Sequence, residues 1–300
     1  MTRFAASALL ATLLFIGTSL YGQAGYTFNY SDPGFSSDGK LIVFAVLVYN
    51  FDQSGSALRS ELRSINANGT NPRTLRTVTM GAISKPRFSP DGKKIVFVHE
   101  SGGPYEIWLM NADGSGAEAV VANKSYNDNP MFDGDGNVVY VRDSKQVILH
   151  DVMTHAERVL LESEIVTWAI PGSTPGRYVV KYLPSGAKAM VVGQINKGEK
   201  GPAEIKDWGG KRSTDVDRFR TAADGKRALA SVRDQETLPA LWLRDAGTWV
   251  EARGLRARFF DLSPDGKIFV FVASPPGKNV EGIFLYDIDG KQGRPLVPPA

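Results

Sequence analysis

The sequence contains no cysteine. That excludes disulfide frameworks, thiolate metal sites, cysteine nucleophiles and lipidation of an amino-terminal cysteine. Histidine is nearly as scarce: His99, His150 and His155 are the three. They fall at unlike points of the repeat described below, so solvated or locally hydrogen-bonded imidazoles are expected rather than a converging metal site. The net charge of +3 leaves neither sign in real excess, which predicts no nucleic-acid footprint and no polybasic membrane surface. No G-x-S-x-G elbow occurs, so the sequence offers no α/β-hydrolase nucleophile, and Ser115 in DGSGA reads as a turn residue. The acidic FDGDGN of residues 132–137 resembles half a calcium loop. It lacks the later glutamate and reads as a hairpin.

Long uncharged apolar runs are also rare. One follows Arg3, as AASALLATLLFIGTSL, and no charge appears until Asp32. Gly22 and Ala24 stand where the small residues of a cleavage site belong, so residues 1–24 are expected to be a secretory signal and the mature chain to begin near Gly25. The competing expectation is a membrane anchor, since the run approaches the length of a span.

What is present is repetition. FSPDGKKIVFVHE at residues 88–100 returns as LSPDGKIFVFVAS at residues 262–274. Asp-Gly marks a tight strand-to-strand turn, because glycine accepts the positive φ the turn imposes, and the apolar residues after it read as a buried strand. The same kind of turn recurs at Gly39, Gly92, Gly136, Gly176, Gly225 and Gly266, 40 to 53 residues apart. A second turn recurs at Gly69, Gly114, His155, Gly198, Gly247 and Gly290, 41 to 49 residues apart. Two anchors sharing one period, with four short strands between successive copies, specify a β-propeller blade. Residues 25–300 divide into six such blades, about 26–79, 80–123, 124–162, 163–206, 207–253 and 254–300. The expected fold is therefore all-β: a six-bladed β-propeller with four antiparallel strands per blade.

The blade RFSPDGKKIVFVHESGGPYEIWLMNADGSGAEAVV resembles the TolB-type propeller repeats of bacterial periplasmic proteins. The resemblance spans nearly all of the mature chain, strongest in the second and sixth blades and weakest in the fourth. It implies a periplasmic or secreted propeller. Because the repeats begin directly after the apolar run, it implies the propeller alone, without the α/β domain that precedes it in TolB. No repeat ends in the WD dipeptide, so WD-repeat propellers are a weaker match.

Chain direction sorts the loops. The regular turns, after the first and third strands of each blade, share one face. The connections after the second and fourth strands share the other, and those are irregular: YNFDQSGSAL from Tyr49, HESGGPY from His99, RDQETLP from Arg233 and ASPPGKNVEG from Ala273. Rigid scaffolds concentrate function on such loops. Tyr49, Phe51, Tyr105, Tyr126 and Trp208 are the aromatic residues placed there, as candidate anchors for a protein or peptide partner of the cell envelope. For Trp208, in the glycine-rich KDWGGK, the alternative is a ring folded back onto the disc. Trp108 and Trp242 occupy equivalent third-strand positions and are expected to pack between blades. The basic residues between Lys197 and Arg227 alternate with acidic ones and read as a mixed solvated surface. The expectation is a monomeric, non-catalytic binding scaffold without a cofactor. The rival is a propeller lyase or glycosidase acting on an envelope or plant polysaccharide, which requires carboxylates or histidines gathered at the central channel.

Overall fold

The computed structural model describes residues 26–50, 57–196, 199, 201–234, 236, 238–274 and 281–297. Residues 1–24, Phe51 and Gly198 lie outside them, and with them the expected signal segment. Within the described residues the chain forms six four-stranded antiparallel sheets arranged as a propeller, and the only helical element is a 3-10 turn over Ser213–Asp215.

The first blade holds β1 (Tyr26–Phe35), β2 (Leu41–Asn50), β3 (Arg59–Asn66) and β4 (Arg73–Val78). The second holds β5 (Ala82–Phe88), β6 (Lys94–Glu100), β7 (Tyr105–Asn111) and β8 (Glu118–Val121). The third holds β9 (Asn127–Phe132), β10 (Val138–Arg142), β11 (Gln146–His150) and β12 (Glu157–Glu162). The fourth holds β13 (Val166–Pro171), β14 (Arg177–Tyr182), β15 (Val191–Asn196) and β16 (Ala203–Glu204). The fifth holds β17 (Val216–Thr221), β18 (Ala228–Val232), β19 (Ala240–Asp245) and β20 (Thr248–Arg256). The sixth holds β21 (Phe260–Leu262), β22 (Ile268–Ala273), β23 (Gly282–Asp287) and β24 (Gln292–Val297). Strand β20 runs to Arg256, past the blade boundary placed at residue 253 from the sequence.

The first turns of the first, second and sixth blades are fixed by their own side chains. In the second blade Ser89 Oγ donates to Asp91 Oδ1 at 2.6 Å, the Lys93 amide donates to the same carboxylate, and the Lys94 amide donates back to Ser89 Oγ. The first and sixth blades repeat this around Ser36 and Asp38, and around Ser263 and Asp265. Gly92 holds φ at +71°, the left-handed value that excludes a β-branched residue. In the second turn of the sixth blade the sequence assigns the left-handed position to Gly290, whereas Lys291 adopts it, at φ +51°.

The core lies between blades. Val43 and Leu62 of the first blade interleave with Ile95 and Phe97 of the second, with Trp108 packed against them as expected. Five similar clusters fill the remaining junctions. The last joins Phe28 and Phe44 of the first blade to Val270, Ile283 and Leu285 of the sixth. Among the described residues every sheet uses consecutive strands, and the first and sixth blades meet by face-to-face packing. Because the apolar contacts sit in the wedges, the axis is free for polar side chains.

Candidate functional site: a charged central channel

The inner strands β1, β5, β9, β13 and β17 bound a cavity of about 510 Å³ on the axis. Ala189, Met190, Thr214 and Arg233 also line it, and all four lie in connections that follow a second or fourth strand. Strand order puts those connections on the irregular-loop face, so the cavity opens there.

Three inner strands enter the channel through the same backbone irregularity. Register shifts interrupt the pairing of β1, β5 and β9 with their neighbours. At each shift a residue with positive φ precedes proline: Asp32 (+50°) before Pro33, Lys85 (+54°) before Pro86, and Asn129 (+53°) before Pro130. A bulge re-aims a side chain, and left-handed non-glycine residues collect at functional sites. Here the three side chains line the cavity.

The charges form two tiers. Near the mouth, Lys85 Nζ contacts both carboxylate oxygens of Asp128 at 2.5 Å, and Arg233 Nη2 meets Asp217 Oδ1 at 2.9 Å. Deeper lie Arg87, Arg218 and Arg220 with the carboxylates of Asp32 and Asp261, while Lys181 lies within the charge of Asp217. Arg218 Nη1 stands 3.5 Å from Asp32 Oδ1, with its guanidinium also over the Phe259 ring. Arg220 Nε lies 3.3 Å from Asp261 Oδ1 without hydrogen-bond geometry. Asp261 Oδ2 accepts the Phe35 amide at 2.9 Å, tying the first and sixth blades. Arg87 has no carboxylate partner among the described residues: its Nη1 donates to the backbone carbonyls of Asp32 and Pro86. Lys181 likewise donates only to the Val216 carbonyl. Both are buried, at 7% and 6% exposure. Burial, then the neighbouring Arg87 guanidinium, pushes Arg220 down to about 9, against the pull of Asp261. Burial also lowers Lys181, opposed by Asp217.

Gly34 makes room for this arrangement. A Cβ there would sit 3.1 Å from Arg87 Nη1 and 3.2 Å from the Pro86 carbonyl.

Arg218 and Arg220 therefore correct the sequence reading of residues 197–227 as solvated surface. The alternation of β17 puts Phe219 into the wedge against Trp208 and Trp249, and the two arginines on the axis. Sequence reasoning also passed over Asp32, Lys85, Arg87, Asp128 and Lys181. The signal was available in the first three blades: DP, KP and NP dipeptides at a fixed distance before each first turn.

The aromatic candidates divide. Tyr105 and Tyr126 meet edge-to-face at 5.3 Å across the second and third blades, and Tyr126 is 56% exposed. Asn127 Nδ2 donates to the Tyr105 carbonyl, fixing the pair beside Asp128. Burial, then the charges of Glu100 and Asp128, raises the Tyr105 hydroxyl. Tyr49 is half-buried near the end of β2 and makes no ring contact with that pair. Phe51 lies outside the described residues. Trp208 takes the folded-back placement: it is 3% exposed, packs tilted against Trp249 at 5.4 Å and donates to the Ile205 carbonyl. It is a wedge between the fourth and fifth blades, not an exposed anchor.

The histidines correct a further expectation. His150 and His155 come together at 5.7 Å, because the β11–β12 hairpin folds the turn back. His150 is buried rather than solvated, with Nδ1 3.6 Å from Glu157 Oε1. His99 is separate, edge-on to Trp108 at 5.2 Å. Among the described residues no group of three or more histidines and carboxylates could hold a metal ion.

No family model matches the chain. Among solved structures it is similar to TolB from Acinetobacter baumannii, with a TM-score of 0.68 and 15% identity over 92% of this chain and 80% of that one. It is similar to an acylaminoacyl peptidase, with a TM-score of 0.62 and 14% identity over 91% of this chain and 52% of that one. An oligogalacturonate lyase in complex with manganese follows, with a TM-score of 0.55 and 13% identity over 90% of this chain and 77% of that one. At such identities the likeness is one of fold: this chain is a TolB-like six-bladed propeller.

Proposed function

We propose that this protein is a periplasmic or secreted propeller that acts as a non-catalytic docking scaffold for a protein or peptide of the cell envelope. The partner engages the irregular-loop face at the channel mouth. The observation that carries the reading is the opening of the charged cavity on that face, with the exposed Tyr126 and its partner Tyr105 beside it. The TolB-like fold supports a protein partner. The enzyme reading, which requires carboxylates gathered at the channel, finds Asp32, Asp128 and Asp217 there, but each of them, like Asp261, faces a cation.

The test is capture of partners from envelope extract by the exported protein, repeated with Tyr105→Ala and Tyr126→Ala and with Lys93→Ala on the opposite face. Loss of the captured species with the tyrosine variants alone is expected. Equal capture by all variants, or loss with Lys93→Ala only, overturns the assignment of the face.

A further inference from the structure

The channel is not balanced. Six cations, Lys85, Arg87, Lys181, Arg218, Arg220 and Arg233, face four carboxylates, Asp32, Asp128, Asp217 and Asp261, which leaves two positive charges more than negative. Lys85 and Arg233 take up Asp128 and Asp217 directly, and Lys181 shares the charge of Asp217 without an ion pair to it. Burying a cation without a counter-charge costs several kcal/mol, so folding alone favours apolar or paired residues at such positions. Instead Gly34 leaves the space into which Arg87 extends, and three left-handed non-glycine residues shape the wall. The donors left over are oriented by the protein: Arg87 is anchored through Nη1 to two carbonyls and Lys181 through Nζ to one. A cavity of about 510 Å³ falls in the range that small ligands fill.

We propose that the channel is a binding site for a dianionic oxyanion group, a pair of carboxylates or a phosphate, held by Arg87, Lys181, Arg218 and Arg220. Guanidinium groups suit this task because their planar donors match carboxylate and phosphate oxygens in pairs. The proposal rests on the reading of the channel mouth as the docking place, and names the chemistry recognised there. The group arrives either as a free small anion or as the acidic segment of a polypeptide. Asp32, at 3.5 Å from Arg218, holds that guanidinium in place while leaving its donors toward the cavity.

Titration calorimetry at constant ionic strength tests it, with citrate, inorganic phosphate and a short peptide ending in two glutamates as the probes. Saturable binding of at least one probe is expected. Lys181→Gln and Arg87→Gln should each weaken it at least about tenfold, equivalent to about 1.4 kcal/mol. Lys188→Gln, an exposed lysine in the same connection as the cavity-lining Ala189 and Met190, should stay within about twofold of the parent. Citrate or phosphate binding identifies a free anion as the source. Binding of the peptide alone identifies a polypeptide.

Because Arg87→Gln can disturb packing, thermal melting of Arg220→Met supplies an independent readout. Removing one of the crowded charges should lose the probe while leaving the melting temperature unchanged or higher; a purely structural arginine would lower it. Absence of saturable binding by every probe sinks the proposal, as does equal weakening by Lys188→Gln. Envelope-partner capture that survives Lys181→Gln, in a protein that binds no probe, overturns the anion site and leaves the docking reading intact. Probe binding that depends on Lys181, in a protein that captures no partner, does the reverse.

Discussion

The first turns and the inner-strand bulges both repeat around the ring, and they vary in opposite ways. In the turns of the first, second and sixth blades the same serine, aspartate and glycine make the same hydrogen bonds, to within about 0.1 Å. In the bulges of the first three blades the backbone repeats, with φ between +50° and +54°, yet the side chain is aspartate, then lysine, then asparagine. A repeated residue in a repeated conformation is explained by the conformation. A changing residue in a repeated conformation is explained by what it faces, and these three face the channel. The comparison separates residues that the backbone conformation dictates from residues set by the channel they line.

The largest effect that sharpens this contrast lies in neither region. Trp208→Ala removes a buried ring from the wedge between the fourth and fifth blades, and should cost about 3–5 kcal/mol. Thermal unfolding checks it; an unchanged midpoint would return Trp208 to the surface role that its sequence context suggested. Next is the turn face. Gly92→Val forces a β-branched residue to φ +71°, at a cost of about 1–3 kcal/mol. The melting temperature should fall while partner binding, measured well below the transition, is retained.

On the opposite face the expectation inverts. Tyr126→Ala should weaken partner binding about tenfold, near 1.4 kcal/mol, with no change in melting, because the ring is exposed and supports only Tyr105. Were Tyr126→Ala to destabilise the protein and spare binding, the two faces would have exchanged roles.

The smallest effect concerns pH. Burial lowers His150 from its usual 6.5, partly opposed by Glu157 and with His155 adding to the lowering; burial lowers His99 in the same sense, with Glu106 opposing and Arg76 assisting. A histidine held neutral in the folded state binds its proton more readily when unfolded. Stability should therefore be complete above about pH 6.5 and decline as pH falls below it. Denaturant titrations from pH 7.5 to 5.5 should show a shallower decline in His150→Leu. An identical slope would mean that His150 binds its proton equally well in the folded and unfolded chains.

Much of the architecture was legible because its signals are local. An Asp-Gly turn and an apolar run report on about a dozen neighbouring residues, and Ala82–Phe88, Lys94–Glu100 and Tyr105–Asn111 follow the pattern closely. The channel was not legible in this way. Arg87, Arg218 and Arg220 look like ordinary charges within strands, and the interleaved acids after Lys197 imitate a solvated surface. Trp208 misleads for the same reason: flanking glycines and charges suggest exposure, whereas Gly209 lies so close to Trp249 that a Cβ would be 2.4 Å from its side chain.

The sequence by itself determined the period, the four strands of each blade, the turns and the ring, since each depends on backbone preference and on apolar residues at short separations. Only the tertiary structure decided that Asp32, Arg87, Lys181, Arg220 and Asp261, drawn from five blades and more than two hundred residues of chain, share one axis. The reason is physical. Six wedges of apolar packing hold the inner strands apart around a centre that none of them fills, and the charge balance of that centre exists only once the ring has closed.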